Sequence, residues 1–450
     1  MQLIISYSCR FGIEPFLYGK EIRKQSKCNI ILDGDEKMEK AILVGLETNA
    51  SIEFEYHMKE LAALAEACNL QVLETITQRL DGPTAALYIG SGKAEEIKAA
   101  VTELGADLVV FDDELSPTHI RNLEKALATK VIDRTILILD IFATRAKTKE
   151  AMLQVELAQS QYMLPRTVGM YSSLSRQSGG IGSKGPGETK LEIDKRILRD
   201  RIAHIQEELK EIVSVRRTQR EKRKKDQVPT VALTGYTNSG KSTILNKMLE
   251  YSMTNTEKYV FMKDMLFATL ETATRSISLP NKHQFLVTDT VGFISKLPHH
   301  LVEAFKSTLE EIKEASLILH IVDGSNSKAM NQAAIVDDVL RSLEVKDVPV
   351  IYVVNKTDLM KDVPSLQLNP RLMISAKTGD GFDRLIKTID EHLYSNNILV
   401  TMLIPYDKGQ IFSFLKDHAN IISSEYKNDG IMVNVELTEH LVNLYRPYIQ

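Results

Sequence analysis

Four short stretches, in order along the chain, carry residues that could grip and cut a phosphate chain. The first is GYTNSGKS (235–242), in the pattern G-x-x-x-x-G-K-S between an apolar strand and a helix. Gly235 and Gly240 let such a loop curl its N–H groups toward phosphate oxygens, Lys241 adds charge at the β/γ oxygens, and Ser242 can ligate Mg²⁺. The following helix contributes its positive N-terminal end. The second stretch is Asp289-Thr290-Val291-Gly292, in LVTDTVGF at the end of a strand. Asp289 is placed to act behind the metal, and Gly292 to offer an N–H to a γ-phosphate. The third is Asn355-Lys356-Thr357-Asp358 and the fourth Ser375-Ala376-Lys377, each at a strand end. Asp358 can accept from guanine N1–H and N2–H₂, a pairing adenine cannot complete, so the wrong base would leave a carboxylate unsatisfied. A backbone N–H of 375–377 is placed to meet guanine O6. Any one stretch could be a structural turn. All four in this order on alternating strands predict a GTP site that uses Mg²⁺ and releases GDP and phosphate.

Two positions qualify that reading. LFATLE (266–271) lies where a first switch belongs, and Thr269 is the hydroxyl expected to complete the Mg²⁺ shell; a plain strand threonine is the alternative. Lys241, Thr269 and Gly292 are thus the residues expected to act on the γ-phosphate. Phe293 follows Gly292 where switches of the Ras type carry the glutamine that orients the attacking water. A phenylalanine can neither take a proton nor hold a water, so hydrolysis is expected to be slow until a partner completes the site.

The elements that must position these residues can be read around them. The chain has 450 residues, enough for about three domains. Formal net charge is −4, and the hydrophobic and charged shares of 43% and 26% are those of ordinary globular material. No membrane span or signal peptide is expected, and three scattered cysteines suit a reduced, cytoplasmic protein. Residues 1–40 give no assignment. Residues 41–133 read as a small parallel α/β subdomain with strands AILVGL, LQVLETI, AALYI and ADLVVF. GSGK (90–93) lacks the first glycine and the final hydroxyl of a phosphate loop and reads as a turn.

Residues 134–228 read as a helical hairpin. Arg134–Leu164 has no Pro or Gly and could form one helix of ~45 Å. Glu188–Lys225 is similarly uninterrupted, and its Leu198, Ile202, Ile205, Leu209 and Ile212 alternate spacings of four and three, a seam for a partner helix. The glycine-rich tip loop (166–187) carries Arg166, Arg176 and Lys184, which suit reaching into a polyanionic cavity, a flexible tip with no role being the alternative, and the run RRTQREKRKK (216–225) is basic, ordinarily a solvated linker face. Residues 229–395 read as a doubly wound P-loop domain and 396–450 as a small α+β domain, strand–helix–strand–strand–helix.

LFATLE, DTVGFI, LPHHLVEAF (297–305), LSRQSGGIGSKGPGETKLEIDKR (174–196) and VIDRTILILDIFATRAKTKEAMLQVELAQSQY (131–162) make the chain resemble the HflX family of ribosome-associated GTPases over roughly 41–450. The resemblance implies that Gly235, Tyr236, Thr237, Asn238, Ser239, Gly240, Lys241 and Ser242 bind GTP. It implies nucleotide contact for Phe267, Ala268, Thr269, Leu270 and Glu271 and for Asp289, Thr290, Val291 and Gly292, with Ser242 and Thr269 on Mg²⁺. Asn355, Lys356, Thr357 and Asp358 would read guanine, helped by Ser375, Ala376 and Lys377. Asn238 stands where some such GTPases hold K⁺ against the phosphates; a turn former is the other reading. The partner implied is the large ribosomal subunit, its 23S rRNA and factor-binding proteins, with the hairpin loop in the peptidyl-transferase region and stalled ribosomes split; a monomer is expected, though the sequence does not give the oligomeric state. The switch departs from the family where Glu271-Thr272 replaces Asp-Pro, and the loop departs at Ser178, Ser183 and Lys184.

Overall fold

The computed structural model describes residues 38–49, 53–170, 186–225, 228–252, 267, 273–297, 301, 306–345, 348–360 and 368–450. They fall into two units. The first comprises Met1–Arg216 with Met265–Phe267 and Ser295–Lys306, and the second Arg217–Asp264, Ala268–Ile294 and Ser307–Gln450.

In the first unit four strands, β1 (Glu39–Glu47), β2 (Leu70–Arg79), β3 (Leu108–Phe111) and β4 (Lys130–Asp133), form an all-parallel sheet in the order β2-β1-β3-β4. Continuous apolar runs such as AILVGL and LVVF suit strands covered on both faces, and Ala41 to Val44 and Leu108 to Phe111 are all buried. The expected strand AALYI is absent. Thr84 and Tyr88 instead bridge across a tight turn, and Tyr88 adopts φ 67°. The fourth strand is the KVID that precedes Arg134. GSGK is not an isolated turn either: Gly90 precedes the helix Ser91–Leu104, whose first turn the motif supplies.

The first arm of the expected hairpin breaks. Helices Arg134–Arg145 and Lys149–Met170 are separated at Ala146, whose ψ of 118° is extended, and Thr148 Oγ1 accepts from Ala151 N at 3.2 Å to start the second helix. The T-x-x-A cap was the overlooked signal. The helix also runs on through Pro165, where an end was expected. A proline there removes one backbone donor, at a cost of about 3 kcal/mol. The following turn is held from outside, Arg166 donating to Leu115 O at 2.8 Å. The second arm is the 40-residue helix Pro186–Lys225. Ile205 is fully buried among Leu153 and Leu157, with Ile202, Leu209 and Ile212 around them, so four of the five seam residues pack as the spacing requires. Pairs Lys149–Glu208 and Arg201–Glu156 fix the arms as antiparallel. Residues 171–185, most of the expected tip with Arg176 and Lys184, lie outside the described residues.

In the second unit, β5 (Thr230–Gly235), β6 (Ala273–Ser278), β7 (Gln284–Asp289), β8 (Leu317–Asp323), β9 (Val350–Asn355) and β10 (Arg371–Met373) form a six-stranded sheet in the order β10-β9-β8-β5-β7-β6. Only β6 runs antiparallel. Val231, Leu233, Val287, Leu319, Ile351 and Val353 give its core against helices Lys241–Tyr251 and Phe382–Tyr394. A three-stranded antiparallel sheet follows, β11 (Ile398–Ile404), β12 (Asn420–Lys427) and β13 (Gly430–Leu437), in the order β11-β13-β12 with helices Gly409–His418 and Glu439–Leu444. That is the strand–helix–strand–strand–helix sequence expected.

Candidate nucleotide site

Parallel doubly wound sheets bind ligands at the carboxyl ends of their strands, and the four motifs leave the ends of β5, β7, β9 and β10. The loop 235–242 turns through a left-handed Gly240, φ 98°, where an added Cβ would stand 2.2 Å from Asn355 Nδ2. No other residue type fits there. Asn238 is also left-handed, φ 59°, a conformation asparagine tolerates. Lys241 opens the helix Lys241–Tyr251 and is 6% exposed; its Nζ donates to Tyr236 O at 2.8 Å and Gly235 O at 3.1 Å. Burial lowers its pKa to about 8, with Asp289 pulling the other way.

The metal side is assembled next to it. Ser242 Oγ donates to Asp289 Oδ2 at 2.7 Å, bringing the hydroxyl from the loop to the carboxylate from the end of β7. A hydroxyl and a carboxylate beside a phosphate loop suit Mg²⁺, which takes one or two protein oxygens and completes its octahedron with phosphates and water. When bound there, Mg²⁺ would neutralise charge on the β and γ oxygens. Thr269 lies outside the described residues, as do Ala268, Leu270 and Glu271.

After Asp289, Thr290 Oγ1 is tied to Leu233 O at 2.7 Å. Gly292 then comes so close to the loop that a methyl there would lie 2.9 Å from both Lys241 Nζ and Thr237 Cα. Phe293 is 3% exposed, and its backbone is paired with the phosphate loop, Phe293 N to Gly235 O at 3.2 Å and Thr237 N to Phe293 O at 2.7 Å. The residue standing in place of the glutamine is thus a packed apolar strap.

The base side is equally tied down. Ser375 Oγ donates to Asp358 Oδ1 at 2.7 Å, which orients the carboxylate while leaving Asp358 exposed. Lys356, left-handed at φ 63°, pairs with Asp323 Oδ2 at 2.7 Å. Asn355 proves to be a brace: its Nδ2 donates to Ser239 O at 2.9 Å and its Oδ1 accepts from Ala376 N at 3.0 Å, both bonds buried. One amide therefore joins three of the motifs. Asn355→Ala should leave those two buried backbone groups unpaired and weaken GTP and GDP binding alike by roughly 2–3 kcal/mol, read by calorimetry. Unchanged affinity for both would show that the brace is dispensable.

Phe267 is the one described residue of the first switch. It belongs to the first unit and packs edge-on against Phe142 at 4.7 Å. Arg166, expected at rRNA, is already used within the fold. Its side chain is 10% exposed, stacks 3.3 Å from the Tyr162 ring centre and lies 3.7 Å from Asp133. Two functional contacts escaped the sequence reading, Asp323 behind Lys356 and Thr290 on β5. An aspartate closing a buried strand, as in LILHIVD, was the available signal for the first.

Comparison with known proteins gives the same picture. Family models match along the chain: GTP-binding GTPase N-terminal over 55–143, GTP-binding GTPase Middle Region over 145–223, 50S ribosome-binding GTPase over 230–356 and HflX C-terminal domain over 365–444. The GTPase HflX of Caldanaerobacter subterraneus is 47% identical over 91% of this chain and 94% of its own length. The GTPase HflX of Escherichia coli is 40% identical over 83% and 88%. Among solved structures, the crystal structure of the SsGBP and GDP complex is similar at 25% identity and a TM-score of 0.45, covering 79% of this chain and 98% of that one. With four successive motifs built into one site and relatives matched over almost their full length, the chain belongs to the HflX family of GTPases.

Proposed function

We propose that this GTPase is a ribosome-acting factor whose hydrolysis is completed by the large subunit. The observation that carries the reading is Phe293, buried and strapped by its backbone to the phosphate loop where a water-orienting side chain would otherwise stand. Catalysis of phosphoryl transfer is mostly positioning and electrostatics. Lys241 supplies the electrostatics, to which an Mg²⁺ held at Ser242 and Asp289 would add, and the positioning of water is left to a partner. The match of 230–356 to a family described as 50S ribosome-binding supports the choice of partner. The two-armed helical lever, with basic residues Arg176 and Lys184 in its connecting loop, suits entry into an RNA cavity, the peptidyl-transferase region being the target, and splitting of stalled ribosomes the outcome. The factor acts as a monomer in the cytoplasm, with K⁺ at Asn238 as an aid to hydrolysis.

Single-turnover GTP hydrolysis with purified large subunits tests this. Stimulation of at least about tenfold over the protein alone, some 1.4 kcal/mol of barrier, is expected. It should be smaller when Na⁺ replaces K⁺. Replacing Ser175–Gly187 by a short Gly/Ser linker should leave nucleotide affinity unchanged and remove ribosome splitting. An unstimulated rate equal to the ribosome-activated one would mean that the water is positioned from within.

A further inference from the structure

Folding seldom leaves a buried hydroxyl without a partner, because its lost hydration then goes uncompensated. The stretch 234–239, where β5 runs into the phosphate loop, holds three such groups. Thr234 Oγ1, Thr237 Oγ1 and Ser239 Oγ are buried and find no hydrogen-bond partner among the described residues. Two of them lie within the framework that carries the loop. Thr234 is in β5, opposite His320 of β8. Ser239 Oγ sits against Gly235, where an added Cβ would stand 3.0 Å from it. Thr237 is placed differently.

Thr237 borders the gap that Gly292 keeps open. A Cβ on Gly292 would lie 2.9 Å from Thr237 Cα, 3.0 Å from Thr237 Cγ2 and 2.9 Å from Lys241 Nζ. The threonine side chain and the ammonium expected at the β and γ oxygens therefore flank the same small space, beside the glycine placed to sense the γ-phosphate. The backbone at this position is already committed, Thr237 N–H donating to Phe293 O at 2.7 Å. The hydroxyl is what residue 237 has left to donate. Its β-branched side chain is stiff about χ1, so an oxygen carried there is presented with little further loss of freedom.

We infer that Thr237 is a substrate-contacting residue whose hydroxyl donates a hydrogen bond to an oxygen of the γ-phosphate, a group the diphosphate lacks. The unpaired hydroxyl destabilises the free protein, and the triphosphate relieves it. The inference deepens the GTPase assignment and rests on it; it needs no ribosomal partner. A donor to the phosphate stabilises charge there and does not orient the attacking water, so Phe293 still leaves that task to a partner.

Thr237→Val replaces the hydroxyl by a methyl of nearly the same size. The test is binding of fluorescent GDP and of a non-hydrolysable fluorescent GTP analogue to the full chain, with thermal unfolding of the nucleotide-free protein alongside. Affinity for the analogue should fall roughly 10- to 100-fold, the range for a hydrogen bond to a charged group, while affinity for GDP stays within about twofold. The unfolding temperature should hold or rise, because the variant removes an unpaired buried group. Thr237→Ser, which keeps the oxygen, should regain most of the lost analogue affinity. Equal losses for both nucleotides together with a lowered unfolding temperature would make the hydroxyl structural and overturn the inference. So would an unaltered analogue affinity in Thr237→Val, or the same loss in Thr237→Ser. Failure of the wild-type chain to bind either nucleotide would instead refute the GTPase assignment beneath it.

Discussion

Lys241→Ala should lower GTP hydrolysis by at least about 100-fold, the scale of losing one preorganised charge-stabilising donor, and weaken GTP binding more than GDP binding. The side chain is buried, and its ammonium is held by the carbonyls of Gly235 and Tyr236. Those carbonyls aim it at the place where the β and γ oxygens would lie, so little reorganisation is left for the transition state. The lowered pKa of about 8 gives a second readout. A bound triphosphate favours the ammonium and raises that pKa. Above about pH 8, therefore, the free protein has lost the proton that the complex keeps, and binding must take one up. Affinity should fall as pH rises through that window, by up to about tenfold per unit. Folding stability moves the opposite way, because the unfolded chain holds the Lys241 proton to higher pH than the folded one and stability gains as pH climbs. Calorimetry at about pH 9 in two buffers of different protonation enthalpy measures the uptake, and Lys241→Ala should abolish it. Identical heats in both buffers for the wild-type protein would show that Lys241 does not titrate there.

How far the sequence reached follows from how local each feature is. The phosphate loop is one strand, one turn and one helix, and Gly235, Gly240, Lys241 and Ser242 sit where the spacing puts them. The seam of the second hairpin arm was equally legible, since a four–three alternation specifies a face whatever it packs on. What was not legible depends on distant chain. AALYI is apolar enough for a strand, yet it lies in the Thr84–Tyr88 turn, and KVID supplies the fourth strand beside β3. Arg166 looked like a loop cation because Pro165 looked like an end. Tyr162 and Leu115, four and 51 positions away, turn it into a packing residue. Asn355 was read only as touching guanine, and its bracing of Ser239 and Ala376, 116 and 21 positions away, has no spacing signal. The buried charge cluster of the first unit has no spacing signal at all: Glu60, Asp112, Arg134 and Ser295 meet only through tertiary packing.

Asp358→Asn is the substitution expected to change which nucleotide is bound. Ser375 Oγ holds Oδ1 of this carboxylate at 2.7 Å, and the three-residue turn Thr357–Leu359 leaves Asp358 exposed. Because Ser375 is itself buried, the rotamer is set before a base arrives, and the second oxygen keeps its capacity to accept. Guanine offers two donors to such an acceptor. An amide in its place presents one acceptor and one donor, so one base N–H faces an N–H. The loss should be roughly 2–5 kcal/mol for GTP and for GDP alike, as for truncating one side of a hydrogen-bonded charge pair. Xanthosine nucleotides carry an oxygen where guanine carries its amino group and should gain affinity in the variant relative to wild type. The shared loss for both guanine nucleotides separates this effect from that of Lys241, which acts on the triphosphate first. Titrating labelled GDP and XDP against both proteins measures the exchange of preference. If the variant binds GDP as tightly as wild type and gains nothing for XDP, base recognition does not run through Asp358, and the ordering of its carboxylate by Ser375 serves only the turn.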